Sequence, residues 1–128
     1  MAARALGPGA KAFQRGLAEI LIKATGASTS DVTKTYSLGV ATIARTNTGT
    51  HTITLSDKWK ALVGFSACIE DATTPDDWEV VVVSEDVASA KTINIAIFKG
   101  GTAADITTDE KIYINLKLLN SSQLPTNG

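Results

Sequence analysis

The chain contains one histidine and one cysteine, His51 and Cys68, and their side chains could form a nucleophilic pair. An imidazole that accepts the thiol proton turns a cysteine into a nucleophile. Both residues, however, lie inside runs that alternate like β-strands, where a single cysteine is commonly a small core residue. A reactive thiol also needs exposure and a third group that orients the base. The sequence therefore predicts no catalytic pair and no enzyme.

Acidic residues form two groups that could supply oxygen ligands to a metal ion. One group lies within residues 71–79, and the other consists of Asp105, Asp109 and Glu110. A dedicated calcium loop places its oxygen ligands at regular short intervals, and neither group has that spacing. The sequence also contains no phosphate-binding glycine loop, nucleophile elbow or dinucleotide fingerprint. We therefore predict no metal and no cofactor, with the acidic groups in solvated loops.

Aromatic residues suggest a third kind of site, a surface on which sugar rings stack. Trp59, Trp78, Tyr36 and Tyr113 could form such a platform and make the protein a carbohydrate-binding module. Aromatic residues make up only 5% of the chain, however, and in a small domain most of them fill the core. The basic residues do not cluster with aromatic residues as they do on nucleic-acid surfaces. A binding or assembly protein remains, and the carbohydrate alternative predicts that Trp59 or Trp78 is exposed.

These residues are carried by β-prone segments, of which the clearest is a hairpin. Residues 38–57 read LGVATIARTNTGTHTITLSD, where two runs rich in Thr, Val and Ile flank the connection at residues 47–49. A glycine in a short loop supplies the positive φ that such a hairpin needs. In the second run His51, Ile53 and Leu55 alternate with threonines, which indicates a half-buried antiparallel strand. The first run slips out of phase, which predicts a bulge.

The remaining strands are predicted from the same alternation. They span residues 16–25, 62–70, 78–84, 91–99 and 111–119. In the second of these we expect Val63 to share a face with Phe65 and Ile69. The four consecutive valines of the third indicate a central strand, covered on both faces. Seven strands with frequent turn signals and no long helical pattern predict an all-β fold, a single antiparallel β-sandwich or jelly-roll-like domain.

Length and composition limit the remaining classes. With 128 residues, 44% hydrophobic and 20% charged, the chain is expected to be one globular domain with short extensions. The formal net charge of -1 gives no general attraction to nucleic acid or to an anionic membrane. A single cysteine cannot form a disulfide within the chain and suits folding in a reducing cytoplasm. No apolar run is long enough for a membrane span, so no membrane partner is predicted.

The two ends of the chain differ in composition from the segment between them. We predict an extended N-terminal arm over residues 1–15, the sandwich over residues 16–119 and a polar tail over residues 120–128. The arm is basic and is broken by Gly and Pro, so it is either a frayed terminus or a segment that docks on a partner subunit. A transit peptide would also be basic, but this segment is too short, and too interrupted by Gly and Pro, to favour one. If the arm docks, its contact residues are expected to be Arg4, Leu6, Lys11, Phe13 and Arg15.

Two segments resemble small virion structural proteins of tailed bacteriophages. They read TIARTNTGTHTITLSDKWKALVG and WEVVVVSEDVASAKTINIAIFKGGTAADITTDEKIYINLKLLNSS. In such proteins a segment of the type R-T-G-x-G-x-(aromatic)-T-x-x-L-x-D precedes a valine-rich strand and an ending of the type I-x-I-x-L-x-L-x-N-S. Arg45, Gly49 and Leu55 match the first pattern, whereas His51 stands where an aromatic residue is usual. The opening ARALGPGAKAFQRGLAEI resembles the N-termini of phage structural proteins as well.

The resemblance implies a protein of the virion, above all a capsid decoration (cement) protein that stabilises the head shell. Such proteins commonly act as homotrimers at capsid symmetry axes, so the implied partners are copies of the same chain and the major capsid protein. Symmetry and multivalency suit this role, because many weak contacts add together. The implied location is the capsid surface, after synthesis in the host cytoplasm. The alternative is a fibre, tail or head-ornament domain that binds host carbohydrate.

Overall fold

The computed structural model describes residues 17–73 and 77–119, and all the regular elements in these ranges are β-strands. The strands are β1 (Leu17–Thr25), β2 (Thr33–Ser37), β3 (Val40–Asn47), β4 (Thr50–Leu55), β5 (Ala61–Asp71), β6 (Trp78–Asp86), β7 (Thr92–Lys99), β8 (Thr102–Ala103) and β9 (Glu110–Leu119). Sheet A has the order β2-β1-β9-β5, and sheet B has the order β3-β4-β7-β6, with β8 paired to β7. The predicted all-β antiparallel sandwich is confirmed. The described ranges hold nine strands instead of seven, because β2 and β8 lie in segments with the composition of loops.

The core is a layer of branched aliphatic side chains between the two sheets. In β9 these are Ile112, Ile114, Leu116 and Leu118, each at most 3% exposed. Side chains on a strand alternate between faces, so the residues between them point to the outside of sheet A. Sheet B completes the layer with Ile53 and Leu55 of β4 and Ile93, Ile95 and Ile97 of β7. Burying one such side chain stabilises the fold by about 1.5–3 kcal/mol.

The hairpin predicted around residues 47–49 consists of β3 and β4. Gly49 has a φ of 72°, in the left-handed region that favours glycine. A Cβ atom at this position would lie 2.6 Å from the carbonyl oxygen of Ile97, so no other residue fits without movement of the backbone. The register of the hairpin shifts between Val40 and Thr42, which confirms the bulge predicted for its first strand.

The valine-rich strand β6 is an edge strand of sheet B, so its prediction as a central strand is wrong. Val80 and Val82 pack against the core, as the alternation requires. The register with β7 then shifts between Val82 and Ser84, and the extra residue, Val83, is 61% exposed. Val81 lies on the outer face opposite Ala96, and the bulge turns Val83 to the solvent, so the run is apolar on both faces. No strand covers its outer edge within sheet B.

A further bulge changes which side chains of β5 face the core, so the predicted inward face of Val63 is wrong. Phe65 and Ile69 pack against the core as expected, but Val63 is 56% exposed. The pairing of β9 with β5 shifts between Lys117 and Leu118, and the shift places Leu62 instead of Val63 toward the core. The alternation in the sequence could not show this, because the position of a bulge depends on the partner strand.

The two faces of the sandwich give a test of this arrangement. Leu116→Ala should lower the free energy of unfolding by about 2–5 kcal/mol, because it leaves a cavity in the centre of the core. Val63→Thr keeps the β-branched shape at the exposed bulge and should change the same quantity by less than about 0.5 kcal/mol. Urea unfolding at neutral pH measures both values, and similar losses in the two variants would contradict the assignment of faces.

Candidate functional site

The residues expected to contact a partner through the N-terminal arm lie outside the described part of the chain. These residues are Arg4, Leu6, Lys11, Phe13 and Arg15. The described chain begins at Leu17, which pairs across sheet A with Leu119, the last described residue. The two ends of the described range therefore lie beside each other. Docking through the arm stays a prediction.

His51 and Cys68 lie on different sheets, and the structure does not bring them together. His51 of β4 points into the core, is 2% exposed, and has no hydrogen-bond partner for either ring nitrogen among the described residues. Cys68 of β5 is exposed on the outer face of sheet A. Because the apolar layer lies between these positions, the imidazole cannot accept the thiol proton.

A charged network surrounds the hairpin loop beside His51. The Arg45 guanidinium donates two hydrogen bonds of 2.9 Å to the Asp105 carboxylate, which also accepts one from the Gly49 amide at 2.9 Å. The hydrogen bond from Arg45 lowers the pKa of Asp105. Burial lowers the pKa of His51, and the positive charge of Arg45 adds to this, against the opposite effects of Asp105 and Asp31. This network ties the hairpin to the segment after β8.

Three of the acidic side chains considered as metal ligands, those of Asp71, Asp105 and Glu110, accept hydrogen bonds within the fold. The buried Asp71 carboxylate accepts a 3.2 Å hydrogen bond from the Trp78 indole and lies 3.9 Å from the Lys99 ammonium. Glu110 accepts a 2.7 Å hydrogen bond from the Thr107 amide. Within residues 17–73 and 77–119, no three His, Cys, Asp or Glu side chains are grouped so that they could hold a metal ion.

The two tryptophans do not form the exposed platform that the carbohydrate alternative predicted. Trp59 and Trp78 are both half-buried and pack against the core. The ammonium of Lys99 lies 5.0 Å from the centre of the Trp78 ring and covers part of it. Neither tryptophan therefore has the exposed ring that the carbohydrate alternative predicted.

The outer face of sheet A carries a row of side chains that includes two tyrosines. Four side chains lie side by side across its strands: Tyr36 on β2 faces Lys23 on β1, Lys23 faces Tyr113 on β9, and Tyr113 faces Cys68 on β5. We call this set the tyrosine row. Tyr36 is 53% exposed, and Leu21, next to the row on β1, is 48% exposed. The row lies on the solvated side of the sheet, so its aromatic rings do not serve the core.

Two contacts hold Tyr113 in place. The Lys23 ammonium lies 5.5 Å from the centre of the Tyr113 ring, within the range of a cation–π interaction. The Tyr113 hydroxyl donates a hydrogen bond to the Glu70 carboxylate. This bond raises the pKa of Tyr113 and lowers the pKa of Glu70, because it favours the phenol and the carboxylate together. Tyr113 is therefore fixed as a neutral ring.

A second network lies beside the row on the same face. The Asn115 amide donates a 2.7 Å hydrogen bond to Glu19, and the Lys117 ammonium lies 3.3 Å from the same carboxylate. The hydrogen bond from Asn115, followed by the contacts with Lys117, lowers the pKa of Glu19. The charges of this face thus have opposite charges or hydrogen-bond donors as neighbours.

A groove of about 550 Å³ crosses this face. Its side chains are those of Leu21, Lys23, Tyr36, Ser66, Cys68, Tyr113 and Asn115. The groove forms because β5 contributes short side chains, Ser66 and Cys68, where β1 and β2 contribute long ones. Only the strand register shows that Tyr36 and Tyr113 lie in the same row.

Comparison of the chain with protein-family models, curated proteins and solved structures gives no match. No helix in the described part of the chain is long and apolar enough to cross a membrane.

The buried imidazole predicts a specific pH dependence of stability. Burial lowers the pKa of His51 below its usual value of 6.5, so the unfolded state binds a proton more readily than the folded state. The free energy of unfolding should therefore fall as the pH drops below 6.5, by at most about 1.4 kcal/mol per pH unit for this one group.

His51→Phe removes this titrating group. The free energy of unfolding of the variant should therefore be nearly constant between pH 7.5 and about pH 5. Asp105 and Glu70 titrate below this window in both proteins, since their pKa values are lowered from 3.8 and 4.5. Urea unfolding at several pH values gives the two slopes. Parallel curves for the two proteins would contradict a buried neutral His51.

Proposed function

We propose that the protein is a non-enzymatic structural component of a tailed-phage virion, a capsid decoration protein that binds the major capsid protein. The observation that carries the proposal is the resemblance of the two segments quoted above to small virion structural proteins. These segments provide β3 and β4 and the run from β6 to β9, which together form sheet B and the central strand β9 of sheet A. The resemblance therefore extends over the framework of the sandwich.

The distribution of exposed apolar side chains supports association with further copies of the chain. Leu38, 74% exposed, lies at the side of the sandwich where β2 leads into β3. Val63 and Val83 lie on β5 and β6, the edge strands at the opposite side. A ring of identical subunits needs two different surfaces that meet head to tail. Two separate apolar edges suit such a ring, and a homotrimer is the expected state.

The proposal predicts that the purified chain forms a stable oligomer that binds phage heads. Light scattering coupled to size-exclusion chromatography should give the mass of a trimer, and the protein should sediment with expanded capsids. Capsid binding should be multivalent, so that it weakens steeply when the oligomer dissociates. A stable monomer that does not sediment with capsids would sink the proposal.

The N-terminal arm gives a second test. Deletion of residues 1–15 should abolish capsid binding and leave thermal unfolding of the sandwich nearly unchanged, because the core side chains lie in the described strands. Deletion of residues 121–128 is the matched control, since both segments join the sandwich beside the Leu17–Leu119 pair. Full binding after loss of the arm would remove the arm from the proposed interface.

The alternative, a fibre, tail or head-ornament domain that binds host carbohydrate, requires an exposed aromatic surface. In the described residues that surface consists of the tyrosine row, not of the tryptophans.

A further inference from the structure

We infer that the outer face of sheet A is a binding site for a neutral oligosaccharide, whose pyranose rings stack on Tyr36 and Tyr113. A pyranose ring has an apolar face of C–H groups and a rim of hydroxyls. It is therefore recognised by a fixed aromatic ring with donors and acceptors beside it. The inference concerns a ligand of this face and does not depend on the proposed capsid role.

The spacing of the two rings suits an extended glycan. Tyr36 and Tyr113 lie in one row on β2 and β9, with the single strand β1 between them. Neighbouring strands are about 4.8 Å apart, so the two attachment points are about 9–10 Å apart. This separation is close to the length of a disaccharide unit. A glycan that runs across the strands can therefore place every second ring on a tyrosine.

The site is preorganised, which reduces the entropy lost on binding. The Tyr113 hydroxyl is held by Glu70, and its ring is held by Lys23 at 5.5 Å. The Lys23 ammonium on one side of the ring and the exposed Ser66 hydroxyl on β5 are positioned to bind sugar hydroxyls. The groove of about 550 Å³ has the size of a small-ligand site, for which about 300–1,000 Å³ is usual.

The charges of this face favour a neutral ligand. Glu19 is paired with Lys117 at 3.3 Å, and Glu70 accepts the Tyr113 hydroxyl close to the positive charges of Lys111 and Lys23. The charges of both signs thus offset each other, so the face has no strong field of one sign that would select an anion or a cation.

The same charges disfavour a protein partner on this face. The fully buried centre of a protein–protein interface is depleted in charged residues. Here Lys23 lies within the tyrosine row, and Glu70 holds Tyr113. Burial under a flat protein surface would remove both charges from water, whereas the hydroxyls of a glycan can hydrogen-bond to them.

The experiment is calorimetric titration of the full chain with neutral hexasaccharides: cellohexaose, laminarihexaose, chitohexaose and mannohexaose. At least one should bind. Tyr36→Ala and Tyr113→Ala should each weaken that binding about tenfold, which corresponds to about 1.4 kcal/mol. Tyr113→Phe keeps the ring and should retain most of the affinity. Glu79→Gln, exposed on β6 of sheet B, is the matched control and should bind as the unaltered protein does.

Three outcomes would overturn the inference. The first is that none of the four hexasaccharides binds. The second is that a hexasaccharide binds with equal affinity to the unaltered protein and to both alanine variants, which would place the sugar elsewhere. The third is that the tyrosine variants change the oligomer mass and leave sugar affinity unaltered, which would mean that a second copy occupies the face. Circular dichroism of each variant shows whether the sandwich is intact.

Discussion

The two-residue period of β9 is the constraint on which the rest of the structure depends. This strand pairs with β1 on one side and with β5 on the other, over nearly its whole length. Leu116 and Leu118 point inward and are fully buried, whereas Tyr113 and Asn115 point outward to the solvated face. A shift of one residue would exchange the two sets and place polar side chains in the core. Core packing and the tyrosine row are therefore fixed by one register.

Local alternation explains how much of the fold could be predicted from the sequence. The hairpin, the buried face of β9 and the sandwich class follow from patterns within single segments, where neighbouring residues determine the period. The exposure of Val63 and Val83 and the edge position of β6 do not, since each depends on pairing with a strand elsewhere in the chain. The candidate site belongs to the second kind. Its two tyrosines are remote in sequence, and only the register of three strands places them in one row.

His51 occupies a core position in the folded chain, although its chemistry suggested a catalytic pair with Cys68. It occupies a core position of β4, in line with Ile53 and Leu55, and no described group binds its ring nitrogens. A buried polar group without a partner costs free energy, so the imidazole serves as a ring-shaped core residue at some expense of stability. In the nearby Arg45–Asp105 pair, the Asp105 carboxylate accepts a hydrogen bond from the Gly49 amide of the hairpin loop. Neither member of the pair forms a hydrogen bond with the imidazole. The chemistry-bearing residue is thus structural, and the candidate site is formed by residues that fill no core position.

The bulges at Val63 and Val83 limit the pairing of edge strands between copies of the protein. They lie on β5 and β6, the two edge strands at one side of the sandwich. A regular edge strand offers a continuous ladder of amide and carbonyl groups to any other strand, which leads to uncontrolled sheet extension. A bulge interrupts that ladder and twists the strand locally. The protein can therefore reach the crowded local concentration of a regular assembly while open-ended strand-to-strand polymerisation is suppressed.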